Sequence, residues 1–447
     1  MYEMEKETTN LKKNIGFVAA LSTVMGTVIG AGVFFKAAVV AEATGTVSLS
    51  LLAWFLGGVI TICAGLTAAE LAAAIPETGG MMRYIEYTYG KKPGFLIGWA
   101  QTVIYFPANI AALAIIFSTQ VINLFGLSSS LLMPIGVAVA LFLTLTNLLG
   151  SKVSGHVQSF TTLFKLIPII LIIIFGLFAK SKVNVSLLPV TAGKNLGFAN
   201  ALGHGLLATM FAYDGWLHVG NIAGEMKNPK KDLPKAILLG LAGIMIVYML
   251  INYVFLKSMP ISQFIGNDNA ASDVSAILFG GLGGKLVTIG ILISVFGTIN
   301  GYTMTGMRIP YAMALENTLP FSKQLKKLSK SGVPINCGIL QVVIACIMIF
   351  LGAFNTLTDM LIFVIWIFYT MTFLATMILR KREPDMNRPY KTPLYPIVPI
   401  IAIIGGLFIV INTLFTQTIL ALVGIALTAV GFPFYLYKEK QNKRMEE

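Results

Sequence analysis

Charged residues are scarce in this sequence. Asp, Glu, Lys and Arg together account for 11% of its 447 residues, whereas soluble globular proteins have about 25%. Cysteine and histidine are also rare, with three of each, and their spacing matches neither a metal site nor a disulfide framework. The sequence also has no Ser/Lys dyad and no pair of intramembrane carboxylates. These absences argue against an enzyme, and we expect no metal and no cofactor.

Long apolar runs make up most of the chain, which is 56% hydrophobic. Many runs reach about 20 residues, the helix length that crosses ~30 Å of hydrocarbon. The sequence therefore predicts an all-α polytopic membrane protein with twelve transmembrane helices. The predicted spans are 15–42, 48–74, 95–125, 131–150, 155–179, 199–225, 235–257, 283–307, 334–353, 358–380, 395–416 and 418–437.

The net charge of +13 lies mainly in the loops between these spans. Twenty-five lysines and arginines fall on the side that holds both termini, and six, counting Lys36, fall on the other side. Cytoplasmic loops of membrane proteins are enriched in these residues. We therefore expect a multi-pass protein of the cell (plasma) membrane with cytoplasmic tails at 1–14 and 438–447. Its surroundings are then the lipid bilayer, and no nucleic-acid partner is expected.

Two of the loops are expected to hold structure of their own. Residues 81–92 mix apolar and polar positions and predict a short amphipathic cytoplasmic helix. Residues 258–282 place polar turns around a weakly apolar run. We expect this second stretch to cap the external side.

Two predicted spans contain sequences that interrupt a helix. Span 1 carries Gly26, Gly30 and Gly32 close together, and glycine weakens a helix. Span 6 has a similar break at 211–216, Phe-Ala-Tyr-Asp-Gly-Trp. Non-helical backbone inside a membrane is tolerated only where protein or water surrounds it. Two interrupted spans in corresponding halves of a chain predict the binding site of a secondary transporter.

An interrupted helix exposes backbone groups that can bind a ligand. If the second half of span 1 begins at Gly30–Gly32, its first N–H groups lack helical partners and carry the positive end of the helix dipole. The N-terminal end of a helix binds carboxylates in this way. The carbonyl oxygens at the breaks could accept hydrogen bonds from an ammonium. Together these groups predict a site for a zwitterionic α-amino acid. The predicted substrate-binding residues are Val28, Gly30, Ala31, Gly32, Phe211, Asp214 and Gly215.

Packing offers a simpler interpretation of the same features. Gly26 and Gly30 have the spacing of a helix-packing motif. Asp214 could cap a broken helix end instead of contacting the substrate amine. The sequence leaves both roles of Asp214 open.

Several motifs resemble those of the amino acid–polyamine–organocation superfamily. Residues Val28–Phe34 resemble its G-[SA]-G-[IV]-F signature, and Phe211–Trp216 resembles the F-A-Y-x-G-W of its L-type amino acid transporter branch. The loop after span 6, Gly224–Ala236, and the first cytoplasmic loop, Pro76–Gly90, are similar to those of the same branch. Within the branch, the motifs resemble bacterial serine/threonine or alanine–serine–cysteine exchangers.

The resemblance implies a LeuT-like fold, in which spans 1–5 (15–180) and 6–10 (198–380) form two inverted repeats of five helices. Helices 1 and 6 are discontinuous in that fold, and spans 11 and 12 (395–437) are accessory. It also implies alternating access, with Phe211 as an aromatic gate over the substrate. Animal members join a glycoprotein partner through a cysteine after span 3. Residues 126–130 here read Gly-Leu-Ser-Ser-Ser, so no covalent heavy-chain partner is expected.

Lys165 lies about ten residues into span 5, which is ~15 Å deep at 1.5 Å per residue. A lysine this deep is a functional candidate. By the resemblance, it lies near the position where sodium-coupled members hold a cation between spans 1 and 8. Its ammonium could replace that sodium ion, carry a transported proton, or only brace carbonyl groups of span 1. Tyr248 on span 7 is a candidate hydroxyl partner.

For other polar residues in the spans, the sequence does not predict one specific role. Asn300 and Tyr302 on span 8 could line the pocket or belong to a polar packing seam. His156, His204 and His218 are expected to pack or to lie at helix ends.

The sequence as a whole predicts a sodium-independent exchanger of small neutral L-amino acids. The alternatives are a proton-coupled amino acid symporter and a carrier of cationic amino acids or polyamines. A cationic substrate would require additional acids in the cavity, and Asp214 is the clear mid-span acid.

Overall fold

The computed structural model of the protein describes residues 15–77, 79–183, 185–193, 196–267 and 269–446. The predicted tail at 1–14, Thr78 of the first cytoplasmic loop, Lys194 of the outer charge count and Glu447 at the end of the second tail lie outside the described residues.

The described part of the chain is helical, with β-type pairing confined to a bridge between Ile15 and Met226. Its α-helices are α1 (Phe17–Val28), α2 (Gly32–Thr44), α3 (Val47–Ala74), α4 (Met81–Tyr89), α5 (Lys91–Ala100), α6 (Phe106–Phe125), α7 (Leu132–Leu148), α8 (Ser151–Phe178), α9 (Phe198–Ala212), α10 (Pro229–Ser258), α11 (Ala270–Phe279), α12 (Gly281–Gly306), α13 (Arg308–Leu315), α14 (Ser322–Leu325), α15 (Ile335–Leu351), α16 (Phe354–Arg382), α17 (Ile397–Thr416), α18 (Thr418–Ala429) and α19 (Gly431–Glu446). The remaining helical turns are a π-helix (Gln101–Tyr105) and the 3₁₀ helices Ser129–Leu131, Trp216–Glu225 and Ile261–Gln263.

Among the described residues, ten helical stretches are long and apolar enough to cross a membrane. The first of them runs from Phe17 to Thr44 and the last from Thr418 to Arg444. The other two predicted spans fall on shorter helices. Span 6 is divided between α9 and the 3₁₀ helix Trp216–Glu225, and span 9 is the 17-residue α15. Apolar segments form helices in lipid because a helix satisfies its own backbone hydrogen bonds.

Spans 1 and 6 are both interrupted where the sequence predicts a break. Helix α1 ends at Val28 and α2 begins at Gly32. Between them, Ile29 has φ −74° and ψ 92°, which is outside the helical region. In span 6, α9 ends at Ala212 and the following 3₁₀ helix begins at Trp216.

The interrupted helices lie at the centre of the bundle. Helix α1 packs against α8, α10 and α12, and α2 packs against α9. Helix α3 contacts both α9 and α10. At the first break, Ile29 and Ala31 are 0% exposed. The irregular backbone is therefore surrounded by protein, as a break inside a membrane requires.

The two structured loops are present as helices. Helix α4 is the amphipathic helix predicted in 81–92, and it buries Met81, Met82, Tyr84 and Ile85 on one face. The stretch 258–282 holds a 3₁₀ turn and α11, and both pack against α2.

Two buried acids near helix ends pair with arginines. Oε2 of Glu70 lies 2.6 Å from the guanidinium of Arg380, and Oε1 of the same residue lies 3.3 Å from that of Arg388. Glu225 pairs with Arg308 at 3.0 Å. These pairs tie α3 to α16 and to the loop after it, and the 3₁₀ helix of span 6 to α13.

Candidate functional site

The two interruptions lie directly against each other. A Cβ atom on Gly32 would lie 2.5 Å from Cα of Ala212, so α2 begins in backbone contact with the last residue of α9. A residue without a side chain is required for this approach. On the other side of the break, the hydroxyl oxygen of Thr27 lies 3.1 Å from the carbonyl oxygen of Gly215 and 2.7 Å from that of Thr23, and its single proton serves one acceptor at a time. The two interrupted helices thus form one structural unit.

Gly215 has a left-handed backbone conformation between the two helical parts of span 6. Its φ of 104° lies in the region that glycine adopts without strain. A Cβ atom at this position would also lie 3.1 Å from the hydroxyl of Tyr302. Both the conformation and the space around it therefore require glycine here.

Tyr248 of α10 joins the end of α1 to the end of α9, the helices that precede the two breaks. Its hydroxyl oxygen lies 3.0 Å from the carbonyl oxygens of both Val28 and Ala212. Its single proton serves one of these acceptors at a time. Tyr248 therefore braces the two breaks and is not the hydroxyl partner of Lys165 that the sequence suggested.

The start of α2 presents backbone N–H groups at the break. The N–H groups of Phe34 and Phe35 both donate to the carbonyl oxygen of Ala31 at 3.0 Å. Those of Gly32 and Val33 precede them in the first turn, where a helix has no earlier carbonyl to accept them. This end also carries the positive pole of the helix dipole. The arrangement suits a carboxylate.

Lys165 of α8 is fully buried, and its ammonium occupies an oxygen-lined position at the end of α1. It donates to the carbonyl oxygens of Gly26 at 2.7 Å and Ile29 at 2.5 Å. Two hydroxyls of α12 reach the same carbonyls: Thr298 lies 3.3 Å from each, and Ser294 lies 3.4 Å from that of Ile29. The last carbonyls of a helix lack partners within it, so the ammonium and the hydroxyls satisfy them.

Phe211, the predicted gate, is 7% exposed at the end of α9. Its ring makes an edge-to-face contact with Phe354 of α16, with centroids 5.6 Å apart. The Nζ atom of Lys36 lies 5.4 Å from the centre of the Phe211 ring and 5.3 Å from that of Phe354. These distances are within the range of a cation–π interaction.

The charge count includes Lys36, within predicted span 1, among the basic residues of the outer side. Lys36 lies on α2, and its side chain is fully buried. Its ammonium donates to Asn355 at 3.1 Å, to Thr358 at 3.0 Å and to Asp359 at 3.3 Å. All three acceptors lie at the start of α16, more than 300 residues away in sequence. The ammonium therefore links α2 to α16 beside Phe211.

The Asp214 carboxylate is surrounded by tyrosine hydroxyls. Tyr369 of α16 donates to it at 2.9 Å, and Tyr302 of α12 does so at 3.5 Å. Tyr105 of the π-helix donates to its Oδ2 atom. The backbone N–H of Asp214 bonds to the carbonyl oxygen of Phe211 at 3.3 Å. Of the two roles left open by the sequence, these contacts favour a structural one, in which the carboxylate fixes the second break to its neighbours.

His218 extends this cluster and was not expected in it. Its Nε2 atom lies 2.6 Å from the hydroxyl of Tyr105. Tyr105 ends the π-helical turn that begins at Gln101, and such turns often occur at functional sites. Sequence reasoning missed both residues, because the π-turn has no simple residue signature and 113 residues separate Tyr105 from His218.

Asn300 belongs to a polar packing seam between α7, α8 and α12. Its amide nitrogen donates to the carbonyl oxygen of Ser154 at 3.1 Å and to Gln158 at 2.9 Å. Its amide oxygen accepts from Asn147 at 2.9 Å. Of the two interpretations that the sequence allowed, packing fits these contacts.

A family model described as "Amino acid permease" matches residues 15–434. This match contains both interruptions, Lys165 and the Asp214 cluster. The chain belongs to the amino acid permease family. This family lies within the amino acid–polyamine–organocation superfamily, so the resemblance of the motifs is confirmed.

Relatives that align with nearly the whole permease carry the names of amino acid transporters. The serine/threonine exchanger SteT of Bacillus subtilis is 41% identical over 442 residues, which cover 98% of the permease and 100% of SteT. The large neutral amino acids transporter small subunit 2 of Mus musculus is 30% identical, over 95% of the permease and 81% of the relative. The Asc-type amino acid transporter 1 of Mus musculus is 28% identical, over 96% of the permease and 82% of the relative. The permease is therefore a multi-pass membrane transporter of amino acids and not an enzyme.

Proposed function

We propose that this permease is a sodium-independent exchanger of small neutral L-amino acids in the plasma membrane. The observation that carries the proposal is the position of the Lys165 ammonium, which bonds to the carbonyl oxygens of Gly26 and Ile29. Carbonyl and hydroxyl oxygens are the ligands that hard cations prefer. An ammonium held permanently among them removes the need for a sodium ion. Transport of one amino acid is then coupled to the movement of a second amino acid in the opposite direction.

The proposed substrate site uses the backbone of the two breaks. The N–H groups at Gly30, Ala31 and Gly32 receive the carboxylate. The carbonyl oxygens at Val28, Phe211 and Asp214, with the adjacent Gly215, receive the ammonium. The hydroxyl of Tyr248 already contacts Val28, but a carbonyl oxygen has two lone pairs and can accept a second bond.

A neutral substrate is favoured by the charges near Phe211. Lys36 brings a buried ammonium to its ring, so a cationic side chain there would lie beside a like charge whose carboxylate partner is already engaged. The two nearby carboxylates already have donors: Asp359 accepts from Lys36, and Asp214 accepts from tyrosines. This geometry does not support a carrier of cationic amino acids or polyamines.

The proposed architecture has twelve spans, with repeats at 15–180 and 198–380 and accessory helices at 395–437. Both termini lie in the cytoplasm, where the excess of lysine and arginine belongs. Phe211 acts as the gate during alternating access. No covalent heavy chain is required, since the loop at 126–130 has no cysteine.

A proton-coupled symporter is the second candidate, because the oxygen atoms that bind Lys165 belong to neutral groups. A buried ammonium among neutral groups is more easily deprotonated than one paired with a carboxylate. In that case Lys165 itself would carry the proton.

Uptake of labelled serine into proteoliposomes separates the two candidates. Exchange predicts rapid uptake into vesicles that contain unlabelled serine and background uptake into empty ones, with or without an inward proton gradient. Accumulation in empty vesicles driven by the proton gradient would overturn exchange in favour of symport. Excess unlabelled arginine should not compete, whereas alanine or threonine should.

A further inference from the structure

A groove of about 740 Å³ lies between residues 317–324 and α19, and its lining shares no residue with the breaks. Asn317 and Asn442 hold its two walls together: Asn317 donates to the Asn442 side chain at 2.7 Å, and Asn442 donates to the carbonyl oxygen of Asn317 at 3.2 Å. Two hydrogen bonds therefore connect the walls of the groove. The function proposed above does not use it.

One wall of the groove contains a buried lysine with neutral partners. Lys438 is 8% exposed, and its ammonium donates to the side-chain oxygens of Asn317 at 3.3 Å and Gln441 at 2.7 Å. Lys323 lies on the opposite wall. None of the described residues that line the groove is acidic. Two ammonium groups that face one groove without a carboxylate form a site for an anion.

The rest of the groove is apolar and aromatic. Phe321 is 76% exposed and has φ 57°, a left-handed conformation that is strained for a bulky residue. Phe434 and Tyr437 of α19 line the other wall, and Tyr437 is 66% exposed. Exposed aromatic side chains next to an anion site suit a ligand with both an anionic and an apolar part.

The groove lies at the depth of the lipid headgroups. Twenty residues from Thr418 to Tyr437 span ~30 Å in helical geometry, which is the thickness of the hydrocarbon core. Lys438 is the next residue, at the level where the headgroups begin. Aromatic and basic residues concentrate at this boundary, and basic pockets between helices bind anionic headgroups there.

We propose that this groove binds an anionic phospholipid of the adjacent leaflet, the cytoplasmic one in the proposed orientation. The phosphate lies between Lys323 and Lys438, and the acyl chains cover Phe321, Phe434 and Tyr437. The lipid joins the segment between α13 and α14 to the last helix.

Native mass spectrometry of the purified full-length protein tests this site. We would titrate phosphatidylglycerol, and phosphatidylcholine with the same acyl chains, and count bound lipids. The double variant Lys323→Gln/Lys438→Gln should bind phosphatidylglycerol about tenfold or more weakly, because each lysine attracts an anionic headgroup. The control Lys326→Gln/Lys327→Gln removes equal charge directly after α14, outside the groove, and should bind normally.

Several outcomes would overturn the proposal. Equal loss in the control would indicate diffuse charge, and equal binding of phosphatidylcholine would indicate an apolar contact only. Saturation of the site by inorganic phosphate, with loss of the lipid adduct, would assign it to a soluble anion. Lys323→Gln alone, at an exposed position, keeps the test valid if replacement of Lys438 lowers stability.

Discussion

The ammonium of Lys36 lies 5.4 Å from the centre of the Phe211 ring. Lys36 lies on α2, the second half of span 1, and Phe211 lies on α9, the first half of span 6. These two half-helices meet at the breaks. Because Lys36 also pairs with Asp359 of α16, movement of α2 relative to α16 would change the surroundings of Phe211. This relationship connects the predicted gate to both α2 and α16.

Replacement of Phe211 tests its role as the gate. Phe211→Ala should lower the maximal rate of serine exchange by about tenfold or more, equivalent to about 1.4 kcal/mol of barrier, because water then reaches the substrate. Phe211→Trp keeps an aromatic ring and should retain partial activity. Initial rates in proteoliposomes measure both. Normal exchange by Phe211→Ala would place the gate elsewhere.

Replacement of Gly32 tests the contact between the two breaks. The added methyl group of Gly32→Ala would meet the backbone of Ala212 at 2.5 Å, and overpacking of this kind costs about 1–3 kcal/mol. We expect loss of exchange and a lower thermal midpoint. Gly155→Ala on α8 is the control, since a Cβ atom there has nothing within 4 Å. Unchanged exchange by Gly32→Ala would show that the breaks can move apart without loss of the site.

Replacement of Tyr369 tests the structural role of the Asp214 cluster. Tyr369→Phe removes a hydrogen bond to a buried carboxylate, worth about 1.5–3 kcal/mol, and should lower both the thermal midpoint and the exchange rate. Tyr390→Phe is the control, because the Tyr390 hydroxyl is buried without a partner in the described part of the chain. If the two variants were equally stable and active, the cluster would not hold the second break.

The helices and their interruptions follow from local sequence. Apolar length predicts the spans, and the glycine-containing sequences at 26–32 and 211–216 predict the breaks, because both effects act within one segment of backbone. The depth of Lys165 in the membrane can also be predicted, because it follows from the position of the residue along one span. These features require no knowledge of which helices are neighbours.

The contacts between distant segments could not be predicted in the same way. Lys36 lies between apolar residues within predicted span 1, and its partner Asp359 is 323 residues away, so nothing near Lys36 in the sequence points to this ion pair. The cluster of Tyr105, His218 and Asp214 also forms through tertiary packing. The π-turn that ends at Tyr105 belongs to the same packing and has no periodic signal in the sequence.

Lys165 carries the central claim, that a fixed ammonium takes the place of a sodium ion. The direct measurement is the initial rate of labelled serine exchange in sodium and in choline, for the wild type and for Lys165→Ala. Lys257→Ala is the control, because Lys257 is also a buried lysine that donates to a backbone carbonyl, that of Leu177 at 3.1 Å. We predict equal wild-type rates in the two salts, a severe loss in Lys165→Ala with similar protein yield, and near-normal exchange in Lys257→Ala. A wild-type rate that falls when choline replaces sodium, or normal exchange by Lys165→Ala, would contradict the claim.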